Sequence, residues 1–456
     1  MNLNPLFKPK TIAVIGVSLH NDLHPANIIY YKNLLRYPVE VFPVNPKAVL
    51  LKGQRAFSSV LDIPRKIDLA IIVARADYVP SILEDCIKAQ VGGAVIISGG
   101  FAEVGNLELH NRIVDIAREN DFPFVGPNCL GIYSPQHFDG FFIPTERTSL
   151  PDIGNVALLS QSGGLLADQL IRFAGESVGL SLGVSIGNKA VIGESELIEY
   201  LQNDPQTKVI SFYIEGFGQD EGRVFLTAAG KCSKPIVMLK AGKSPGGSRA
   251  VSSHTAALAG DYKVFSSVLA QHGVVEAKTP SELIYFSKAL SNYQISNQGR
   301  VAIVSISGGH GAMVTDLCSE YGMQVPVLSE YEQDQIRNVL SPTVKPIATC
   351  SNPIDLSGSA NDDDFVEVTK LLSTNDDIDC IMLLCLPYAP GLSADIGGML
   401  GRVYQRYHKP MIGYVPRLEK YRMIIEGFEI NGVPVSHSIE GVVHMAQALM
   451  KYHDKS

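Results

Sequence analysis

The stretch LKAGKSPGGSRAVSSHTAALAGD (239–261) is where nucleophilic chemistry is most readily assembled in this chain. His254 stands between Ser253 and Thr255, where a run of small polar residues crosses into a helical stretch, AALAGDYKVFSSVL. Small residues let the backbone approach a ligand closely. A helix start beside the histidine favours an anion next to it. Lys243 and Arg249 are close enough in sequence to neutralise phosphate. Glu215, at the end of the apolar run VISFYIE, is an acid available to orient the imidazole. A carboxylate on one ring nitrogen fixes the tautomer and leaves the other nitrogen free to attack. The plainer alternatives are a surface histidine and a solvated strand-end acid.

Several other turns carry small or polar residues directly after an apolar run. Ser162, Gly163 and Gly164 follow VALLSQ and open the helix LLADQLIRF. Free N–H groups and the positive end of a helix dipole would make this turn a cradle for phosphate or carboxylate. An ordinary turn is the alternative. Gly16 closes TIAVIG, Lys47 comes after VEVFPV, and Ser98, Gly99 and Gly100 end the stretch GGAVIISGG. Asn128 opens NCLG after PFVGP. Taken together, these four loops point to a nucleotide-like ligand. A plain dinucleotide dehydrogenase would predict GxGxxG and an acid after the second strand. The chain has only Gly16 in the first turn, and Asn45 and Pro46 in the second.

The elements that must hold these turns repeat one pattern, a short apolar run followed by a segment of helix length. TIAVIG, VEVFPV, IDLAIIV, GGAVIIS and PFVGP form a first series. VALLSQ, LSLGVSI, VISFYIE and PIVMLKAG form a second, after the polar stretch FIPTERTSLPDIGN (142–155), which reads as a linker. VAIVSIS, QVPVL, CIMLLCLP and MIGYVP form a third, after a break near SNYQISNQGR (291–300). Continuous apolar runs of strand length alternating with helices imply parallel sheets covered on both faces. In such sheets ligands sit outside the carboxyl ends of the strands. The expected domains are 1–145, 146–292 and 298–456. VALLSQSGGLLAD and VAIVSISGGHGAMVTD form a weak internal repeat and suggest that domains two and three share a topology.

With 456 residues, 46% hydrophobic and 18% charged, the chain is long enough for two to four ordinary globular domains. A net charge of −8 without a basic run excludes a general nucleic-acid binder. Seven scattered cysteines without CxxC argue against a disulfide framework or a zinc site, so a reducing, cytoplasmic compartment is expected. Cys380 and Cys385 read as packing in a buried strand. No signal-peptide pattern opens the chain, and no apolar run reaches the ~18 residues of a membrane helix.

The motifs IAVIGVS, FPVNPK, IISGGFAE, VGPNCLGI, LLSQSGGL, YIEGF, KAGKSPGGSRAVSSHTAALAGD and SNPIDLSG occur in this order. With them the chain resembles the α subunit of NDP-forming acyl-CoA synthetases, of the ADP-forming acetyl-CoA synthetase type related to succinyl-CoA synthetase. The resemblance implies an α/β protein of three consecutive domains: a Rossmann-like CoA-binding domain and two flavodoxin-like parallel-sheet domains. It implies that His254 is phosphorylated and that Glu215 hydrogen-bonds its ring. It places the phosphate site at Ser162 and Gly163. It places CoA contacts at Gly16, Ser18, Lys47, Ser98, Gly99 and Asn128. The implied reaction is reversible: acyl-CoA, ADP and phosphate give carboxylic acid, CoA and ATP. A non-catalytic CoA- or acyl-CoA-binding regulatory subunit is the alternative. The family's ATP-grasp unit has no counterpart in these residues. A separate β subunit in an α2β2 assembly is therefore expected, with ATP or ADP and Mg²⁺ mainly on that partner. Two departures from the family pattern are visible: GVSLHNDLHPAN in the first loop, with His24 near the usual proline, and SISGGHGA with His310 in domain three.

Overall fold

A computed structural model describes the backbone of residues 1–47, 49–254 and 262–452, with the side chains of 252–254 outside the description. The chain divides into two compact units, Met1–Pro280 and Ser281–Ser456. The first strands are β1 (Thr11–Ile15), β2 (Glu40–Val44), a short hairpin of β3 (Leu50–Leu51) and β4 (Gln54–Arg55), β5 (Leu69–Ile72), β6 (Ala94–Ile96) and β7 (Phe124–Val125). Five of them make a parallel sheet in the order β2-β1-β5-β6-β7. Successive residues point to opposite faces. Ala13, Ile15, Ala70 and Ile72 accordingly face one core, with Leu83, Cys86 and Ile113. The two helices Val79–Lys88 and Leu107–Glu119 supply those last residues from their apolar faces.

The opposite set, Ile12, Val14, Leu69 and Ile71, enters a core shared with a second sheet. That sheet contains β8 (Ile132–Ser134), β9 (Phe138–Asp139), β10 (Ile153–Ser160), β11 (Leu180–Ser185), β12 (Val209–Ile214), β13 (Ile236–Lys240) and β14 (Val274–Ala277). Its order is β14-β13-β12-β10-β11-β8-β9, with β8 and β9 antiparallel. The hairpin of β8 and β9 lies before the boundary expected at 145, yet it extends the second sheet. One continuous hydrophobic core, with members from Leu3 to Val274, explains why the two sheets form one unit.

The second unit carries β15 (Val301–Ser305), β16 (Ile354–Asp355), β17 (Cys380–Leu384), β18 (Met411–Tyr414) and β19 (Val435–Ser436), all parallel. Their order, β16-β15-β17-β18-β19, is the second-first-third-fourth-fifth order of the first sheet. QVPVL is not a strand; Pro326 interrupts it, and a proline has no N–H for the ladder. The edge position goes instead to Ile354–Asp355 within SNPIDLSG. Residues 281–292, expected in the second domain, lie in this unit. Lys288 donates to the Val435 carbonyl at 2.6 Å there, and Tyr293 to that of Met411 at 2.7 Å. All seven cysteines are free and buried, Cys380 and Cys385 in or just after β17. No helix among the described residues is long and apolar enough to cross a membrane.

The internal repeat has a shared geometry. The Ser160 hydroxyl donates to the Ser162 carbonyl at 2.7 Å and accepts from the Ser162 N–H at 3.2 Å. Ser305 and Ser307 form the same staple at 3.1 and 3.0 Å. The two differ one step later. The Ser162 hydroxyl accepts from Leu165 N at 3.4 Å and caps the helix Gly163–Gly175. The Ser307 hydroxyl instead meets Nδ1 of His310 at 3.0 Å.

Candidate functional site

The site is built on carboxyl-terminal strand ends, starting in the first sheet. Gly16 follows β1 with φ +102°, and a Cβ there would stand 2.0 Å from the Val73 carbonyl oxygen. Only glycine fits this turn. Ser18 shapes the next loop: its N–H donates to Asn27 Oδ1 at 2.7 Å, and its hydroxyl accepts from Asn21 N at 3.1 Å. His24 caps the helix Pro25–Arg36, its Nδ1 accepting from Ala26 N at 3.3 Å. Burial lowers its pKa, which favours the neutral ring that can accept. Asn45 holds both sides of the second turn, donating to the Val17 carbonyl at 2.6 Å and accepting from Lys47 N at 2.8 Å.

A cleft of about 630 Å³ opens between these turns, with Gly16, Asn45, Lys47 and Ala74 on its wall. It sits where the strand order reverses about β1, the usual ligand position in such sheets. Val44, Val60 and Ile82 make its sides apolar. Exposed Lys47 is the cation at its edge. The apolar side suits a flat heterocycle, Ser58, Ser59, Ser81 and Asp85 add polar groups to the wall, and the lysine suits a phosphate.

Ser98, Gly99 and Asn128 gather beside this cleft. The Ser98 hydroxyl donates to the carbonyl of Ala74 and accepts from its N–H at 3.2 Å. Asn128 N donates to the Ser98 carbonyl at 2.9 Å. Gly99 faces Glu103 Oε1 and Asn128 Oδ1, which would lie 3.1 and 3.3 Å from an added Cβ. Burial opposes the charge of Glu103, but backbone N–H groups of Gly100 and Phe101 and the Asn188 amide outweigh it and keep the carboxylate ionised.

In the second sheet, Ser162 and Gly163 lead into a helix whose next residue, Gly164, has nothing within 4 Å of an added Cβ. The turn is therefore open at Gly164, whereas a Cβ on Gly163 would stand 3.2 Å from Leu130 Cβ. Gln161 joins this turn to Glu215. Its Oε1 accepts from Glu215 N at 2.7 Å and Gly216 N at 3.2 Å, while its backbone N–H donates to the Tyr213 carbonyl at 3.0 Å. Lys240 holds the far side, donating to the Glu215 carbonyl at 2.7 Å and the Ala241 carbonyl at 2.6 Å. Glu215 is buried. Burial, then the Glu215 carboxylate, pushes the Tyr213 hydroxyl up to about 12.

The histidine-bearing stretch differs from expectation. Pro245–His254 is helical, and the helix start expected just after His254 falls among residues 255–261, outside the described residues. The Ser244 hydroxyl accepts from Gly247 N at 3.1 Å, and the Ser248 hydroxyl donates to the Gly242 carbonyl at 2.8 Å. The small polar residues thus close a helical turn locally. Lys243 donates to the Lys278 carbonyl at 2.8 Å, tying the segment to the end of β14. Arg249 is exposed. The His254 side chain and residues 255–261 lie outside the described residues.

Residues 187–190, in the loop after β11, are absent from the candidates that the sequence suggests. Asn188 Nδ2 donates to Glu103 Oε2 at 2.6 Å, and its Oδ1 accepts from Asn128 Nδ2 at 3.3 Å. Asn188 N and Ala190 N donate to the carbonyls of Pro127 and Gly126 at 2.9 and 3.1 Å. Lys189 turns the other way, toward Glu194 and Glu221. The signal that could have found this loop is its place: GNK comes directly after the apolar run LSLGVSI, at a carboxyl-terminal strand end like the other candidates.

Comparison with known proteins agrees with this arrangement. Residues 10–135 match the CoA binding domain model, and residues 153–290 match the succinyl-CoA ligase like flavodoxin domain model. The α subunit of ADP-forming acetate–CoA ligase II of Pyrococcus furiosus is 34% identical, over 98% of this chain and 97% of that protein. ADP-forming acetate–CoA ligase I of Archaeoglobus fulgidus is 38% identical over 84% of this chain, which spans about half (55%) of that protein. Among solved structures, the dinucleotide-forming acetyl-coenzyme A synthetase 1 of Candidatus Korarchaeum cryptofilum, in complex with phosphate and ADP, superposes with a TM-score of 0.87. It is 30% identical, and the match covers 99% of this chain and 97% of that one.

Proposed function

We propose, because this chain belongs to the family of ADP-forming acetate–CoA ligase α subunits, that it binds CoA and carries the phosphoryl group in reversible acyl-CoA + ADP + phosphate ⇌ carboxylic acid + CoA + ATP. A phosphate oxygen attacks the thioester carbonyl, the C–S bond breaks, and CoA leaves as its thiolate. The resulting acyl phosphate transfers its phosphoryl group to the free ring nitrogen of His254, and the carboxylate departs. Glu215 holds the other ring nitrogen and stabilises the charge that develops there. The Ser162 hydroxyl and the N–H groups of Gly163 and Gly164 stabilise the transferring group where its charge builds. CoA lies across Gly16, Ser18, Lys47, Ser98, Gly99 and Asn128, and the carboxylic acid is small, acetate in the first place.

The observation that carries this reading is Gln161. One side chain fixes the turn of Glu215, and the next residue opens the Ser162–Gly164 cradle. Acid and anion site are thereby held at a constant spacing. The phosphohistidine then delivers to a nucleoside diphosphate on an ATP-grasp β subunit in an α2β2 assembly. That partner also holds the Mg²⁺ that neutralises the nucleotide phosphates. The first sheet is the CoA domain, the second the phosphoryl-transfer domain and the third a further flavodoxin-like domain. The assembly works in the cytoplasm.

Intact-protein mass spectrometry at neutral pH tests the central step. The β subunit, Mg²⁺ and ATP are incubated with wild-type chain or with His254→Asn. One phosphoryl group gained by the wild type alone is the expected result. No gain with a β subunit that demonstrably binds nucleotide sinks the catalytic reading and leaves a CoA-binding regulatory subunit.

A further inference from the structure

We propose that Lys189 is a positioning residue for Glu215, and that the adjacent Asn188 separately positions the CoA-side loops of the first sheet. The inference rests on the function proposed above. Lys189 is held from four directions. Its Nζ lies 2.9 Å from Glu194 Oε1, 2.7 Å from Glu221 Oε2 and 3.0 Å from the Gly216 carbonyl oxygen, and 4.9 Å from the ring centroid of Phe217. The side chain is 8% exposed. The Gly216 carbonyl takes the third N–H of the buried ammonium and so ties the ion pair to that turn.

That carbonyl belongs to the turn carrying Glu215, and the turn is clamped from both sides of its backbone. Gln161 takes the N–H groups of Glu215 and Gly216, and Lys240 takes the Glu215 carbonyl. Glu221, itself on Lys189, takes the Gly218 N–H at 2.6 Å. Lys189 completes the set at Gly216.

Lys189 also has φ +44°, a left-handed backbone rare outside glycine. Such conformations cost free energy and persist where the surroundings enforce them, commonly at functional sites. Here the enforcement comes from the neighbouring residues. An added Cβ on Gly187 would stand 2.3 Å from the Pro127 carbonyl oxygen, and Asn188 bonds Glu103 and Asn128. Asn188 thus holds the Gly126–Asn128 loop while the adjacent Lys189 holds the Glu215 turn.

The test separates the two half-reactions, using the chain assembled with its β subunit. Lys189→Met slows phosphoenzyme formation from ATP by ~10–100-fold, the scale of a misplaced reacting group. Its KM for CoA stays at the wild-type value. Lys189→Arg restores most of the rate. Asn188→Ala does the reverse, raising the KM for CoA while phosphoenzyme forms at the wild-type rate. Lys189→Met/Glu194→Gln removes the stranded buried acid and guards against simple misfolding. A double variant that unfolds cooperatively and phosphorylates at the wild-type rate overturns the proposal. So does a Lys189→Met loss that only tracks its Tm, or a CoA KM that moves with Lys189→Met. A wild-type chain that never gains phosphate overturns the functional reading, and this inference with it. A wild type that works beside unaffected Lys189 variants overturns this inference alone.

Discussion

Two glycines with opposite surroundings separate folding from binding at the residue scale. Gly16 has a positive φ and a carbonyl oxygen where its Cβ would be. Gly16→Ala forces β1 and the Val73–Ala74 loop apart. It is expected to lower stability by about 1–3 kcal/mol and to raise the KM for CoA together with it. Gly164 is exposed, and a methyl group there meets nothing within 4 Å. Gly164→Ala is expected to leave the Tm unchanged and to raise the KM for phosphate severalfold, because the methyl intrudes only on a bound anion. Thermal melts and steady-state kinetics on both variants check the pair. A Gly164→Ala enzyme with unaltered phosphate kinetics would remove the cradle from the mechanism.

Single carboxylates organise whole strand starts at the element scale. Asp379 precedes β17 and gathers the entry to β15. Its Oδ2 accepts from Arg300 N at 2.9 Å and Gln298 N at 3.1 Å, and its Oδ1 accepts from the Arg300 guanidinium at 2.7 Å. Burial opposes its charge, but these donors prevail and hold its pKa below the usual carboxylate range. A depressed carboxylate contributes stability above its unfolded pKa of ~3.9 and loses it as pH falls through the lower folded value. Asp379→Asn is therefore expected to melt below the wild type at neutral pH. The gap should narrow as the pH falls below ~3.9 and on through the lower folded value. Melting curves across that range decide it, and a gap independent of pH would mean that Asp379 acts through shape alone.

One buried pair joins the two sheets of the first unit at the scale of the whole molecule. Lys32, on the helix beside β1, meets Asp139 of β9 at 2.6 Å, with side-chain exposures of 8% and 3%. Burial lowers the Lys32 pKa and raises that of Asp139. Each partner offsets part of that cost for the other through charge and a hydrogen bond. Lys32→Met strands the acid and is expected to cost about 3–5 kcal/mol. Lys32→Met/Asp139→Leu should recover much of that loss, since apolar replacements of buried pairs are often neutral. Denaturant unfolding gives both numbers. Equal losses in single and double variants would show that the pair positions the hairpin rather than merely neutralising a buried charge.

The strand cores were legible because fully buried parallel strands need unbroken apolar runs, and Thr11–Ile15, Leu69–Ile72 and Cys380–Leu384 are such runs. The turns after them were legible because close backbone approach at strand ends demands small residues, as at Gly16 and Ser162–Gly164. The short edge strands were not: Ile354–Asp355 and Val435–Ser436 have two residues each, too few for any period to show. Nor was the helix Pro245–His254, whose Gly-Gly-Ser composition has low helix propensity and is held by contacts at Gly242 and Lys278. By itself the sequence determined which residue types stand at the end of each strand, hence the ligand edge and the candidate residues. Only the tertiary structure decided which of them meet. Asn128 and Glu103 of the first sheet meet Asn188 of the second because the two sheets share one core, and Gln161 meets Glu215 because β10 and β12 are neighbours, from chain distances of 25 to 85 residues. A local pattern records what one segment prefers. Which strands become neighbours depends on how the whole core packs.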